Sequence, residues 1–151
     1  MAAKNIKTIK ILGIDTSCDD TAISVMEIRN SNFEILSNVV SSQVKLHAKY
    51  GGVFPSLAKR EHLRNLPVVF DKALRIQDTR YKIQDINFIA VTAGPGLEPC
   101  LWQGINFAKE IAQKYKKPLI PVNHIEAHIL ANLIDGSRTP LQDILAGSRS
   151  K

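Results

Sequence analysis

From Ile9 to Ile14 the chain is mostly apolar, and the run stops at a polar cluster, Asp15-Thr16-Ser17-Cys18-Asp19-Asp20. Ala22 to Ile28 resumes with β-branched residues in alternation, and Phe33 to Gln43 does the same after the turn Asn30-Ser31-Asn32. A repeat of two belongs to strands, so the pattern predicts a three-stranded meander with the third strand antiparallel to the second. Pro55 then opens a stretch in which Leu57, Ala58, Leu63, Leu66, Val69, Phe70, Ala73 and Leu74 fall near the helical period. That spacing predicts a long helix, nicked at Pro67.

Phe88 to Thr92 is a continuous apolar run of the kind that forms a strand buried on both faces, and it ends in Ala93-Gly94-Pro95-Gly96. Between Pro99 and Tyr115 the apolar residues again follow the helical period until Pro118 stops it. Leu119 to Val122 reads as a short fifth strand. His124 to Ile134 reads as a last helix, with Asn123 as N-cap and Gly136 just past its end. The order β-β-β-α-β-α-β-α predicts an α/β fold, a ribonuclease H-like mixed sheet with helical crossovers. Its periodic part runs from Lys7 to Ile134 within a unit 1–136, and residues 137–151 form an irregular tail.

Composition narrows the class. A 151-residue chain with 44% hydrophobic and 23% charged residues has enough material for one well-packed domain. No run approaches the roughly 18–20 apolar residues of a membrane span, and the start lacks a signal-peptide pattern, so the expected setting is the cytoplasm, without a membrane partner. Cys18 and Cys100 are expected as free thiols. The net charge of +6 and a pI near 9.4 favour a polyanionic partner such as nucleic acid. The group Lys114, Lys116 and Lys117 also has a structural reason, since cations complement a helix C-terminus.

His124 and His128 are four apart on the last helix, so both imidazoles leave one face and can converge on a divalent ion; the same spacing also fits a merely polar helix face. A third ligand must come from elsewhere, and Asp15 is the most interesting local carboxylate. His124-Ile125-Glu126-Ala127-His128 is not a zinc-protease motif, because Glu126 does not adjoin a ligating histidine in the required way and points off the shared face. Peptidase chemistry is rejected on that ground.

The turn Asp15 to Thr21 can hold a phosphate directly or through a divalent ion, or be an ordinary polar hairpin. Gly94-Pro95-Gly96-Leu97 lies where a backbone can approach an anion, or is a tight structural turn. His47, Tyr50, Gly51, Gly52 and Arg60 lie in or after a loop and so have a functional reading. The simpler reading gives the glycines a turn and lets the helix solvate Arg60 and His62.

Four ordered segments, ILGIDTSCDDTA, HAKYGGVFPSLAKREHL, AVTAGPGLEPCLWQG with NFAKEIA, and PLIPVNHIEAHILAN, resemble the Kae1/TsaD family of tRNA threonylcarbamoyladenosine transferases over nearly all of Ile11 to Asn132. The resemblance implies one lobe of the sugar-kinase/Hsp70/actin fold. It implies transfer of a threonylcarbamoyl group from threonylcarbamoyl-adenylate to the exocyclic amine of the adenosine beside the anticodon, in tRNAs that read ANN codons. It further implies His124 and His128 as ligands of one divalent metal, iron ahead of zinc, with catalytic Asp15 beside them and Gly94 and Gly96 against substrate. Partners implied are tRNA, TsaB-like and TsaE-like proteins, or a Kae1-type complex. The chain departs from the family in having Asp15 where Glu is usual, in the Gly-Pro-Gly-Leu-Glu-Pro-Cys-Leu loop, and in its end. A Ser-Gly-Gly-His-Thr segment and a second lobe with an aspartate ligand are absent, and the tail from Ser137 matches no family segment. The expectation is a truncated transferase with little activity alone; the alternative is a noncatalytic, TsaB-like heterodimerisation partner.

Overall fold

The computed structural model describes residues 8–30, 32–76, 79–131 and 139–140. The meander is present as β1 (Thr8–Asp15), β2 (Asp20–Arg29) and β3 (Asn32–Ser42), antiparallel in sequence order. A short helix α1 (Val44–His47) and a loop lead to α2 (Pro55–Ala73), followed by a two-stranded ribbon, β4 (Arg75–Ile76) and β5 (Thr79–Arg80). The alternation then continues through β6 (Phe88–Gly94), α3 (Glu98–Tyr115), β7 (Leu119–Asn123) and α4 (His124–Ala131). In the tail, β8 (Thr139–Pro140) pairs with the start of β3.

The sheet order is β7-β6-β1-β2-β3-β8, with β1, β6 and β7 mutually parallel. Parallel neighbours require crossovers, and α3 supplies the one between β6 and β7. This is the ribonuclease H-like arrangement, as in one lobe of the sugar-kinase/Hsp70/actin class. The predicted order of main elements holds, while α1, the β4–β5 ribbon and β8 are too short to leave a periodic signal. The C-terminal end expected for the last helix, at Ile134 and Gly136, lies outside the described residues.

Alternation puts Leu12, Ile14, Ile23, Val25, Ile89 and Val91 on one sheet face, in a core shared with Leu66, Val69 and Ala73 of α2 and Ala108, Ile111 and Ala112 of α3. Phe70 and Phe107 join the two helices edge to face, with centroids 5.7 Å apart. Pro67 does not nick α2, which runs through it for 19 residues. The turn around it faces solvent at Leu63 and Val68, where water can take the carbonyl that proline leaves without a donor. The opposite sheet face carries small side chains, among them Gly13, Ala22, Ser24 and Ala90, and α4 turns Ala127 toward it.

Candidate functional site

Because β1, β6 and β7 run parallel, their carboxyl ends share one edge of the sheet, where α/β folds place their ligands. Asp15 ends β1, Thr92 lies one step past the last paired residues of β1 and β6, and His124 begins α4 directly after β7. Asn123 caps α4, its Oδ1 accepting from the amides of Ile125 at 2.9 Å and Glu126 at 3.1 Å. The cap fixes the direction in which His124 and His128 leave the helix.

Oδ1 of Asp15 accepts from the Ser17 amide at 2.9 Å and the Ser17 hydroxyl at 2.8 Å. Oδ2 accepts a short hydrogen bond from the Thr92 hydroxyl and lies 3.1 Å from Nδ1 of His124. Burial by itself would raise the Asp15 pKa, but the donors Thr92, Ser17 and His124 outweigh it and hold the carboxyl below its ordinary value of 3.8. Asp15 is therefore an anion at neutral pH, and an anion facing Nδ1 keeps the proton of His124 on that nitrogen. Nε2 is left as a lone-pair donor. It stands 3.1 Å from Nε2 of His128, the two rings being nearly perpendicular at a centroid distance of 4.4 Å.

That separation tests the metal reading. Two imidazoles bound to one ion at about 2.0–2.1 Å, with a nitrogen–metal–nitrogen angle of about 90–110°, have their nitrogens about 2.8–3.4 Å apart. The 3.1 Å between the two Nε2 atoms falls within this span. Asp15 does not complete the ligand set, contrary to the expectation for a local third ligand. It sits on the far side of the His124 ring, in the place of a carboxylate that orients a ligating histidine. Among the described residues no three His, Cys, Asp or Glu side chains are grouped to hold an ion. Glu126 is exposed and forms no part of it.

A cleft of about 520 Å³ opens over these groups, lined by Asp15, Ser17, Asp19, Asp20, His124 and His128 among others. Three carboxylates make its floor anionic, which disfavours a bare phosphate. The Asp15–Thr21 turn is tied to neighbouring segments through two of its carbonyls. The Ser17 carbonyl accepts from the Leu97 amide at 2.7 Å and the Asp19 carbonyl from the Gln43 amide at 3.0 Å.

The glycine loop has a local explanation. A Cβ on Gly96 would lie 2.6 Å from the Ser17 carbonyl oxygen, and Gly94 adopts φ +148°, so both positions favour glycine on geometric grounds. The place of Gly96 against Ser17 puts it next to the cleft without adding a polar side chain to it. Lys116 ends α3 in the left-handed conformation, Lys114 lies in its last turn and Lys117 donates to the Gln84 carbonyl. Cys18 and Cys100 are free thiols, exposed and buried respectively.

Three residues that hold the site in shape have no signature in the sequence pattern. Thr92 is legible only once β1 and β6 are set in register. Thr16 is inserted into the ladder of α3, its hydroxyl donating to the Cys100 carbonyl at 2.9 Å and accepting from the Gly104 amide at 3.1 Å. His62, expected to be solvated on α2, is fully buried. Its Nδ1 is 2.8 Å from the Thr21 hydroxyl and its Nε2 is 3.0 Å from the Cys18 carbonyl. A carbonyl can only accept, so Nε2 carries the proton and Thr21 donates to Nδ1. Burial lowers the His62 pKa, against smaller opposing contributions from the Cys18 carbonyl and nearby aspartates, and the ring is neutral. His47 is likewise buried, with Nε2 at 2.9 Å from Gln43 Oε1 and Nδ1 accepting from the Phe54 amide at 3.2 Å.

Fold and site together define a ribonuclease H-like lobe with a histidine pair at the carboxyl edge of its parallel strands. Residues 34–150 match the model of the TsaD family, described as tRNA N6-adenosine threonylcarbamoyltransferase, and the chain belongs to that family. The match takes in most of the tail that was expected to match no family segment. The tRNA N6-adenosine threonylcarbamoyltransferase of Persephonella marina is 55% identical over 126 residues, 83% of this chain and 35% of that protein. Its Staphylococcus aureus counterpart is 48% identical over 129 residues, 85% of this chain and 36% of that protein. The chain thus spans about a third of the length of the curated relatives it matches. Among solved structures, YeaZ from Pseudomonas aeruginosa superposes with a TM-score of 0.59 at 14% identity, over 83% of this chain and 50% of that one, a likeness of fold.

Proposed function

We propose that this chain forms the metal-binding lobe of a tRNA N6-adenosine threonylcarbamoyltransferase, acting on threonylcarbamoyl-adenylate and the adenosine beside the anticodon of tRNAs reading ANN codons. The observation that carries the proposal is the line Asp15–His124–His128, in which the anion fixes the Nδ1–H tautomer and turns Nε2 toward its neighbour. His124 and His128 would hold the ion, iron by family and zinc otherwise, with remaining ligands from outside the described residues. Bound there, the ion would supply a Lewis acid that holds and polarises the threonylcarbamoyl group.

The chain's own contribution is positional. Asp15, anchored by Ser17 and Thr92, accepts from Nδ1 of His124 and so fixes the orientation of the ring. Asp19 and Asp20 line the same cleft and favour a cation between themselves and any phosphate-bearing substrate. Gly94 and Gly96 let the loop close against the Ser17 turn, where substrate would pass. No helix of the described residues is long and apolar enough to cross a membrane, and a tRNA-modifying role in the cytoplasm, with TsaB-like and TsaE-like proteins or a Kae1-type complex, fits the family.

The test is metal content measured against protein mass for the chain and for His124→Ala/His128→Ala, followed by a transfer assay with tRNA, threonylcarbamoyl-adenylate and partner proteins. Metal lost in the variant, with transfer restored only by the unaltered chain, supports the reading. Metal in neither protein, together with stable pairing to a full-length transferase, would replace it with the noncatalytic TsaB-like role.

A further inference from the structure

Exposed aromatic rings are uncommon on a surface unless something covers them, and the loop between α1 and α2 presents two side by side. Tyr50 is 53% exposed and Phe54 50%, yet their rings stack on each other with centroids 5.5 Å apart and planes 26° from parallel. The Lys49 ammonium lies over the Tyr50 ring, 5.1 Å from its centroid. Lys45 is exposed one helical turn before Lys49. From Gln43 to Arg60 the sequence carries four Lys and Arg residues and no Asp or Glu, so the shelf is cationic in a chain that is itself basic.

The shelf is rigidly mounted. His47 bonds through one nitrogen to Gln43 and through the other to the Phe54 amide. Gln43 in turn bonds through its amide to the Asp19 carbonyl at 3.0 Å, in the turn that lines the carboxylate and histidine cleft. Gly51, at φ +71°, makes the reversal that returns Phe54 to Tyr50. A buried partner thus holds the Phe54 backbone, and the Phe54 ring stacks on Tyr50, so stacking on the pair costs little reorganisation.

We propose that Tyr50 and Phe54, with Lys45 and Lys49, form a stacking platform for an unpaired base of single-stranded RNA, the lysines meeting its phosphates. Aromatic faces bind any base, and cations beside them track the backbone, the combination by which single strands are bound without a sequence code. A rigid duplex hides its base faces and offers phosphates alone. The proposal rests on the tRNA-modification reading, because it supplies the same cleft with a grip on the looped-out strand around the target adenosine.

Binding of the full chain to a labelled single-stranded RNA of about eight nucleotides, and to the same RNA as a duplex, is measured by fluorescence anisotropy. The RNA contains no adenosine, so binding does not depend on transfer. For Tyr50→Ala/Phe54→Ala the affinity for the single strand falls by about fivefold to a hundredfold, while duplex affinity is unchanged. For Lys45→Ala/Lys49→Ala the salt dependence flattens for both RNAs. Tyr50→Trp retains single-strand binding, and circular dichroism establishes that each variant is folded. Equal binding of single strand and duplex, or no effect of the ring variants, overturns the platform; no effect on RNA with loss of a protein partner assigns the rings to that contact. If the platform binds but no transfer occurs with partners present, the transferase reading fails and the platform stands.

Discussion

Oδ2 of Asp15 stands 3.1 Å from Nδ1 of His124, although 109 residues separate them. The pairing aims the opposite nitrogen at His128. Asp15→Asn keeps the shape but removes the charge, so metal affinity falls by about tenfold to a hundredfold, whereas His124→Ala abolishes binding. Competition against a chelator measures both. An Asn variant that holds metal as tightly as the original would reduce Asp15 to a residue of the turn.

The same carboxyl gives a stability signature in acid. Its pKa is lowered from 3.8 in the folded chain, so its contribution is present in full above the unfolded value and is lost as pH falls through the lowered folded value. The difference in urea midpoint between the original chain and Asp15→Asn is therefore constant at neutral and mildly acidic pH and shrinks below about pH 3.8. A difference that vanished near neutrality would contradict the assignment.

His62 titrates in another window. Its pKa is lowered from 6.5 by burial, so the unfolded chain takes up a proton before the folded one does. Stability from this residue is present above about pH 6.5 and is lost as pH falls toward the lowered folded value. His62→Phe leaves the Thr21 hydroxyl and the Cys18 carbonyl without partners, at a cost of about 1–3 kcal/mol for each. Urea unfolding of the two proteins across this window shows a gap that narrows as the solution is acidified. A gap independent of pH would mean that the ring acts through packing alone.

What the sequence could and could not reveal follows from the range of the interactions. The strands and long helices were legible because Leu12, Ile14, Ile23 and Val25, or Leu66, Val69 and Ala73, repeat at their element's period. The histidine pair was legible because both members lie on one helix. Asp15 was picked out as the first strand's terminal carboxylate, but its position behind His124 depends on the parallel register of β1 with β6 and β7. His62, read as solvated, lies four residues from both Ala58 and Leu66 on the buried stripe of α2, so the helical period already turned it inward and only its polarity masked it. Short elements such as α1 escaped because four residues cannot display a helical repeat.

Thr16 and Gly104 make a pair in which neither residue can change without the other. The Thr16 hydroxyl replaces one rung of α3, bonding to the Cys100 carbonyl and the Gly104 amide, and a Cβ at position 104 would collide with that hydroxyl. Thr16→Val leaves the two backbone groups unpaired, at about 1–3 kcal/mol. Gly104→Ala drives the threonine out, at about 1–3 kcal/mol from overpacking. Because both remove the same insertion, the double variant loses less than the two costs added, and a double-mutant cycle in urea reads a coupling of about 0.5–3 kcal/mol. Simple additivity would show that the hydroxyl does not bridge the helix. The turn carrying Asp15 would then need another anchor.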